Sequence, residues 1–258
     1  EKVLRARLSD ARFFYEEDQK LKIETALEKL EKIVYHEELG TLGDKVRRIR
    51  ANAEQLAQAW GLDAETRRKV DRAAAICKFD LVTQMVYEFP ELQGVMGEDY
   101  ARLAGEDEEV ARAVFEHYQP RFAGDSAPSS RVGAVVGMAD KLDTIAACFS
   151  IGIVPTGSQD PYALRRQAAG IVQIIREHGL ALTLTRLFDI ALAGLRDTIG
   201  LKRPEDEIIR DLTEFFGLRV KNVLSEFARY DVVDAVMGAG ADDVLATIRK
   251  AKALQDHL

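Results

Sequence analysis

At 258 residues, 47% hydrophobic and 31% charged, the chain can bury a sizeable core and lacks any apolar run long enough to cross a bilayer. A net charge of -7 excludes a generally basic nucleic-acid coat, although a local basic face can still exist on an acidic protein. Six prolines, no low-complexity tract and only two cysteines exclude a long disordered linker and a disulfide framework, and point to a reducing compartment.

The chain opens in a charged helical pattern without an initiator methionine, which reads as an internal fragment. From Leu21 onward, Leu27, Leu30, Ile33 and Val34 recur at helical spacing among Glu and Lys, and the period returns at Ile49, Ala53, Leu56 and Trp60. Gly61 and Asp63 predict the end of one helix and the capped start of the next, whose Val70, Ala73, Ala74, Ala75 and Ile76 should be deeply buried. Loop-rich stretches follow at 88–94 and 123–130, with helices predicted over 100–104 and 109–118 between them. The small apolar residues from Val132 to Cys148 predict a central buried helix.

Next comes PTGSQDPYALRR at 155–166. Pro155, Gly157 and Ser158 break regular structure, Asp160 can cap a helix, and Pro161 fits a first helical position. That start puts Arg165 and Arg166 about one turn inside the helix, where spacing alone predicts solvated cations. Farther on, Ile171, Ile174 and Ile175 form an apolar stripe, the segment 180–195 forms another, and Pro204 starts a helix with acids in its first turn. Phe215, Leu218, Val223, Leu224 and Phe227 supply a last buried face. Strand-like alternation is scarce, so the fold class is all-α. Arg47, Arg48 and Arg50, and then Arg67, Arg68 and Lys69, are charge runs whose default is a solvated face. Phosphate loops, dinucleotide fingerprints and nucleophile elbows are absent from the sequence.

Several segments in one order carry a family resemblance: 3–18, 39–49, 78–97, 116–121, 139–144 and the PTGSQDPYALRR run. Together they resemble the beta subunit of the bacterial two-subunit glycyl-tRNA synthetase, with the weakest likeness after about Gly194. The resemblance implies a helical lead-in at 1–35, a degenerate HD-like domain at 36–160, and a helical connector at 161–258 leading toward an anticodon-binding domain. In HD phosphohydrolases a histidine, a His-Asp doublet and a late aspartate hold metal. Matched to that pattern, Lys45 stands at the first histidine, Cys77 and Lys78 at the doublet, and Asp140 at the late acid, with His117 where some members carry a further histidine.

Charged ammonium groups have no lone pair to give a metal, so this pattern implies no metal and a pairing of Lys78 with Asp140. A rebuilt transition-metal site from Cys77, His117, Asp80 and Asp140 is the alternative. Asp140 and Asp143 share one helical face and read as a structural relic. The resemblance further implies that ATP, magnesium and adenylation belong to the alpha subunit, so this fragment has no cofactor and no catalytic residue. Its implied partners are that subunit, the rest of the beta subunit and glycine tRNA, in the cytoplasm and away from membranes. Arg165, Arg166, Arg47 and Arg48 are the candidates for tRNA or subunit contact. A metal-dependent HD phosphohydrolase and a purely structural spacer are the other function classes.

Overall fold

The computed structural model describes residues 1–258. Helices α1 (Lys2–Asp18) and α2 (Ile23–Leu30) lead into a small antiparallel hairpin, β1 (Val34–His36) and β2 (Gly40–Thr41), which is too short to leave an alternating pattern in the sequence. There follow α3 (Leu42–Trp60), α4 (Ala64–Ile76), α5 (Gln84–Glu88), α6 (Val95–Leu103), α7 (Glu108–Glu116) and α8 (Arg131–Ser150). The remainder forms α9 (Leu164–His178), α10 (Leu184–Thr198), α11 (Glu205–Leu224), α12 (Tyr230–Gly238) and α13 (Val244–Asp256). The fold is all-α, and none of its helices is long and apolar enough to cross a membrane.

Local chemistry sets the ends of the long helices. At the start of α3, Thr41 Oγ1 accepts from the Asp44 amide at 3.1 Å while Asp44 returns a 2.9 Å bond to the Thr41 amide. Such reciprocal caps satisfy amide protons that the helix itself leaves open. Gly61 ends α3 in the left-handed region at φ 77°, where a side chain would be strained, and Asp63 caps α4 by accepting from the Thr66 amide at 2.8 Å.

Helix α8 is the axis. Every residue from Val132 to Ser150 is buried, so it has no solvent face and no amphipathic signal. Helices α3, α4, α7, α9 and α10 pack around it. Gly137 lets α8 lie against the end of α7, because a Cβ there would come within 3.2 Å of the His117 carbonyl oxygen. This close approach brings His117 to the polar residues of α8. One buried apolar cluster extends from Ile23 to Ala251, so the predicted HD-like and connector segments share a core. Phe149 of α8 meets Phe215 and Phe188 of α10 meets Phe216 as tilted ring pairs with centroids 5.1 and 5.3 Å apart, which joins α8 and α10 to α11. Each such aromatic pair contributes about 0.5–1.5 kcal/mol beyond its buried area.

The start of α9 differs from the sequence expectation. Asp160 does cap it, accepting from the Leu164 amide at 2.8 Å and the Arg165 amide at 3.0 Å. Pro161 is not its first residue. Ala163 intervenes in the left-handed region at φ 52°, so the helix begins at Leu164 and Arg165 and Arg166 lie in its first turn. The Asp160 side chain spans this displaced turn, which local preferences for a Pro start do not foresee.

Candidate functional site

Four buried cations and two carboxylates meet where α3, α4, α7 and α8 converge. Lys78, just after α4, donates to Asp140 Oδ2 of α8 at 2.7 Å, the pairing expected from the sequence. Lys45 of α3 donates to Asp143 Oδ2 at 2.9 Å and Thr144 Oγ1 at 2.8 Å, and its Nζ lies 3.2 Å from Asp140 Oδ1. Arg48, one turn along α3, grips the same Asp143 through Nε at 2.7 Å and a second nitrogen at 3.3 Å. Arg48 and Asp143 are both 0% exposed. Lys141 is also buried and donates to the His117 carbonyl oxygen at 2.9 Å.

His117 completes the centre as a neutral acceptor. Its Nδ1 lies 2.6 Å from the Val114 carbonyl oxygen, so that nitrogen carries the proton, and Nε2 accepts from Lys78 at 3.1 Å. Burial, reinforced by the Lys78 charge, holds the imidazolium pKa well below its ordinary value. Burial also disfavours charge on Lys78 and Lys45, but Asp140 beside the first and Asp143 beside the second outweigh it and raise both above an ordinary lysine. For Asp140, burial opposes ionisation, while Lys78 and Lys45 overcome it and hold the carboxyl well below its usual range. For Lys141 burial prevails over the Asp140 charge and brings it down to about 8.

This arrangement does not fit a divalent metal. The two donors best placed for one, Asp140 Oδ2 and His117 Nε2, lie 3.7 Å apart and both engage the Lys78 ammonium. The remaining members of the alternative metal set turn elsewhere. Cys77 donates its thiol proton to the Ala74 carbonyl oxygen at 3.3 Å, and burial pushes its pKa up to about 12, away from the thiolate that metals require. Asp80 Oδ2 accepts from the Gly94 and Gly97 amides at 2.7 and 2.9 Å, fastening the loop before α6. Burial outweighs those bonds and raises the Asp80 carboxyl to about 6. Groups of three or more His, Cys, Asp or Glu arranged to hold a metal do not occur. The phosphohydrolase alternative is accordingly not favoured.

The four candidate arginines separate. Arg48 was expected at a contact surface and is instead a core residue, because Asp143 and the Leu39 carbonyl draw its guanidinium inside. Arg47 stays exposed but already holds Glu31 at 2.5 and 3.0 Å and Asp44 at 2.6 Å. Arg165 and Arg166 have no carboxylate within ion-pairing distance, and as neighbours on a helix they face different ways. Arg165 lines a cavity of about 460 Å³ with Arg219, whose Nε and one terminal nitrogen are buried without partners. Burial, and then the nearby Arg165 charge, lowers the Arg219 pKa. Arg166 instead borders a cavity of about 600 Å³ that opens over the Lys78–Asp140 pair.

Three features were missed by the sequence reading. Asp143 is the joint partner of Lys45 and Arg48; its spacing from Asp140 placed both acids on one face but did not disclose their partners on α3. Tyr118 lies under the Lys78 ammonium at 4.1 Å, a cation–π contact with no sequence signal. Asp18, buried at the end of α1, accepts from the Gln84 and Met85 amides at 2.8 and 3.0 Å and from the Tyr100 hydroxyl at 2.7 Å, tying the lead-in to the main body.

The profile of the family described as glycyl-tRNA synthetase beta subunit matches residues 1–238. A glycine–tRNA ligase beta subunit from Halalkalibacterium halodurans is 58% identical over 255 residues, covering 98% of this chain and 37% of the relative. Its counterpart from Bacillus subtilis is 54% identical over 259 residues, covering 100% and 36%, and one from Geobacter sulfurreducens is 52% identical over 245 residues, covering 95% and 35%. The chain thus spans little more than a third of the length of the curated relatives it matches. The matched span includes both the lysine-filled centre and the arginine-bearing start of α9, and the chain belongs to the glycyl-tRNA synthetase beta subunit family.

Proposed function

We propose that this chain is the part of a two-subunit glycine–tRNA ligase that docks tRNA and organises the subunits, while glycine activation with ATP and magnesium takes place in the alpha subunit. Membership of the family supports the parent reaction, the joining of glycine to its tRNA at the expense of ATP. The observation that carries the docking role is the state of the arginines in the PTGSQDPYALRR segment. Arg47 is saturated by its own carboxylates and Arg48 is internal, whereas Arg165 and Arg166 retain guanidinium donors for an outside phosphate or carboxylate. The polar centre beneath them supports a structural reading of the relic HD positions Lys45, Cys77, Lys78, His117 and Asp140. Its acids and imidazole are committed to ammonium groups, which favours a structural role over metal ligation. Its partners in this reading are the alpha subunit, the rest of the beta subunit and glycine tRNA, in the cytoplasm.

In the complete two-subunit enzyme, Arg165→Ala with Arg166→Ala is expected to weaken tRNA binding about tenfold. The slope of log affinity against log salt should fall by roughly one for each lost phosphate contact. Footprinting of glycine tRNA on the two enzymes should show protection lost at the site these residues cover. Wild-type affinity, salt slope and subunit assembly together would reject the docking role. Elemental analysis of the dialysed protein is expected to find no stoichiometric metal in the polar centre, and a metal retained one to one there would overturn the metal-free reading.

A further inference from the structure

The cavity over the Lys78–Asp140 pair has more positive charge than the protein neutralises. Its lining brings Lys45, Lys78, Arg121, Lys141 and Arg166 around a single carboxylate, Asp140, in a space of about 600 Å³. Behind that lining, Asp143 is shared between Lys45 and Arg48. The centre therefore sets four buried cations against two acids before the rim is counted.

Three of the lining cations come from different elements and none has a carboxylate within ion-pairing distance. Lys141 of α8 is only 5% exposed, and its sole hydrogen-bond partner is the His117 carbonyl oxygen at 2.9 Å. Arg121, after α7, donates to the Gln93 carbonyl oxygen at 2.7 Å and stacks over Tyr118 at 5.1 Å, while its Nε is buried with no partner. Arg166 enters from the first turn of α9 and is exposed. Gly170, one turn farther along α9, allows this approach, since a Cβ there would stand 3.2 Å from Lys141 Cε. With Asp140 as the one acid in the lining, cations gathered at this density repel one another, and Lys141 is buried without a carboxylate of its own. A bound oxyanion would offset both costs. The walls add a second requirement: the Tyr118 and Tyr35 rings already lie under Lys78 and Lys45, but Tyr162, 37% exposed, presents an uncovered aromatic surface beside the cations.

We propose that this cavity is a binding site for a phosphate group carried on a nucleotide, with the phosphoryl oxygens held by Lys141, Arg121 and Arg166 and the base resting on Tyr162. Guanidinium groups match phosphate oxygens through paired N–H donors, and aromatic side chains accept any base by stacking. The volume falls within the range of small-ligand sites and is open enough for either a free mononucleotide or the end of an RNA strand. Arg166 is shared with the docking role, but Lys141 and Arg121 belong to this site alone, so the two readings fail separately.

The test is equilibrium binding to the complete beta chain, using inorganic phosphate, adenosine 5′-monophosphate and a short oligoribonucleotide with a terminal phosphate. Saturable binding of at least one nucleotide probe is expected, with Arg121→Gln and Arg166→Ala each lowering its affinity about tenfold. Lys141→Met is expected to have the larger effect. Thermal melting identifies any loss due to unfolding of that buried variant, and the rim variants keep the test decisive if it does not fold. Arg50→Ala removes an exposed charge paired with Asp71, outside the cavity lining, and should bind like wild type. Equal affinity for the mononucleotide and the oligonucleotide assigns a free nucleotide, and binding of the oligonucleotide alone assigns an RNA end. No saturable nucleotide binding at millimolar concentration overturns the site, as does an affinity unchanged in folded Arg121→Gln and Arg166→Ala. If these variants lose the nucleotide while Arg165→Ala with Arg166→Ala leaves tRNA affinity, its salt slope and subunit assembly intact, the cavity stands and the docking role falls.

Discussion

Asp143→Asn is expected to be among the most damaging single changes in this chain, lowering stability by about 3–5 kcal/mol. Asparagine keeps the size of the side chain and one acceptor oxygen, so the loss isolates the charge. That charge is the only buried carboxylate within bonding reach of Arg48, and it also binds Lys45 at 2.9 Å. Without it, Arg48 stays inside with no counterion, and Lys45 must rely on Asp140, already committed to Lys78 at 2.7 Å. For a chain of this size each kcal/mol moves the thermal midpoint by about 2–4 °C, so a drop on the order of 10 °C should be visible by circular dichroism. A midpoint within about 2 °C of wild type would mean that Asp143 does not hold the two cations.

Lys78→Met is expected to cost about 3 kcal/mol for the complementary reason. It leaves Asp140 buried with only Lys45 at 3.2 Å, and removes the donor to His117 Nε2. Adding Asp140→Asn should recover part of the loss. The double variant should then lie at least about 1 kcal/mol above the sum of the single changes. Simple additivity would show that the pair is not coupled.

Acid titration supplies an independent readout. Because the folded Asp140 carboxyl lies below its ordinary value of 3.8, the unfolded chain binds the proton more readily. The pair's stabilisation is therefore present above that value and lost as pH falls from about 4 through the folded pKa. Lys78→Met raises the Asp140 pKa and should flatten that acid limb. Lys78 itself, raised above 10.5, keeps its contribution below that pH and loses it only as pH rises through its folded value.

Much of the secondary structure is legible in the chain because caps and periodicity are local. Gly61 with Asp63 marks a helix junction through backbone conformation and side-chain reach, and the small apolar run at 132–148 predicts a central buried helix, which α8 is. Local rules fail at Pro161, where a preference for starting helices yields to Ala163 in a left-handed turn bridged by Asp160. They fail again at the hairpin, whose strands of three and two residues are too short for alternation to register.

The chain by itself determined the all-α class, through residue identity and short-range spacing, and the family, through the resemblance of several segments in one order; that resemblance also implies ammonium groups where HD phosphohydrolases hold metal. Lys78 meeting Asp140 was also foreseeable, from the matched HD positions. Only the tertiary structure decided that Arg48 is internal, because its partner Asp143 is 95 positions away and any surface carboxylate would have satisfied the same sequence. It also decided that adjacent Arg165 and Arg166 serve different cavities, through the rotation of successive helical residues. The surplus of positive charge over Asp140 arises the same way. Electrostatic energy depends on distances between elements, and the convergence of α3, α7, α8 and α9 sets those distances.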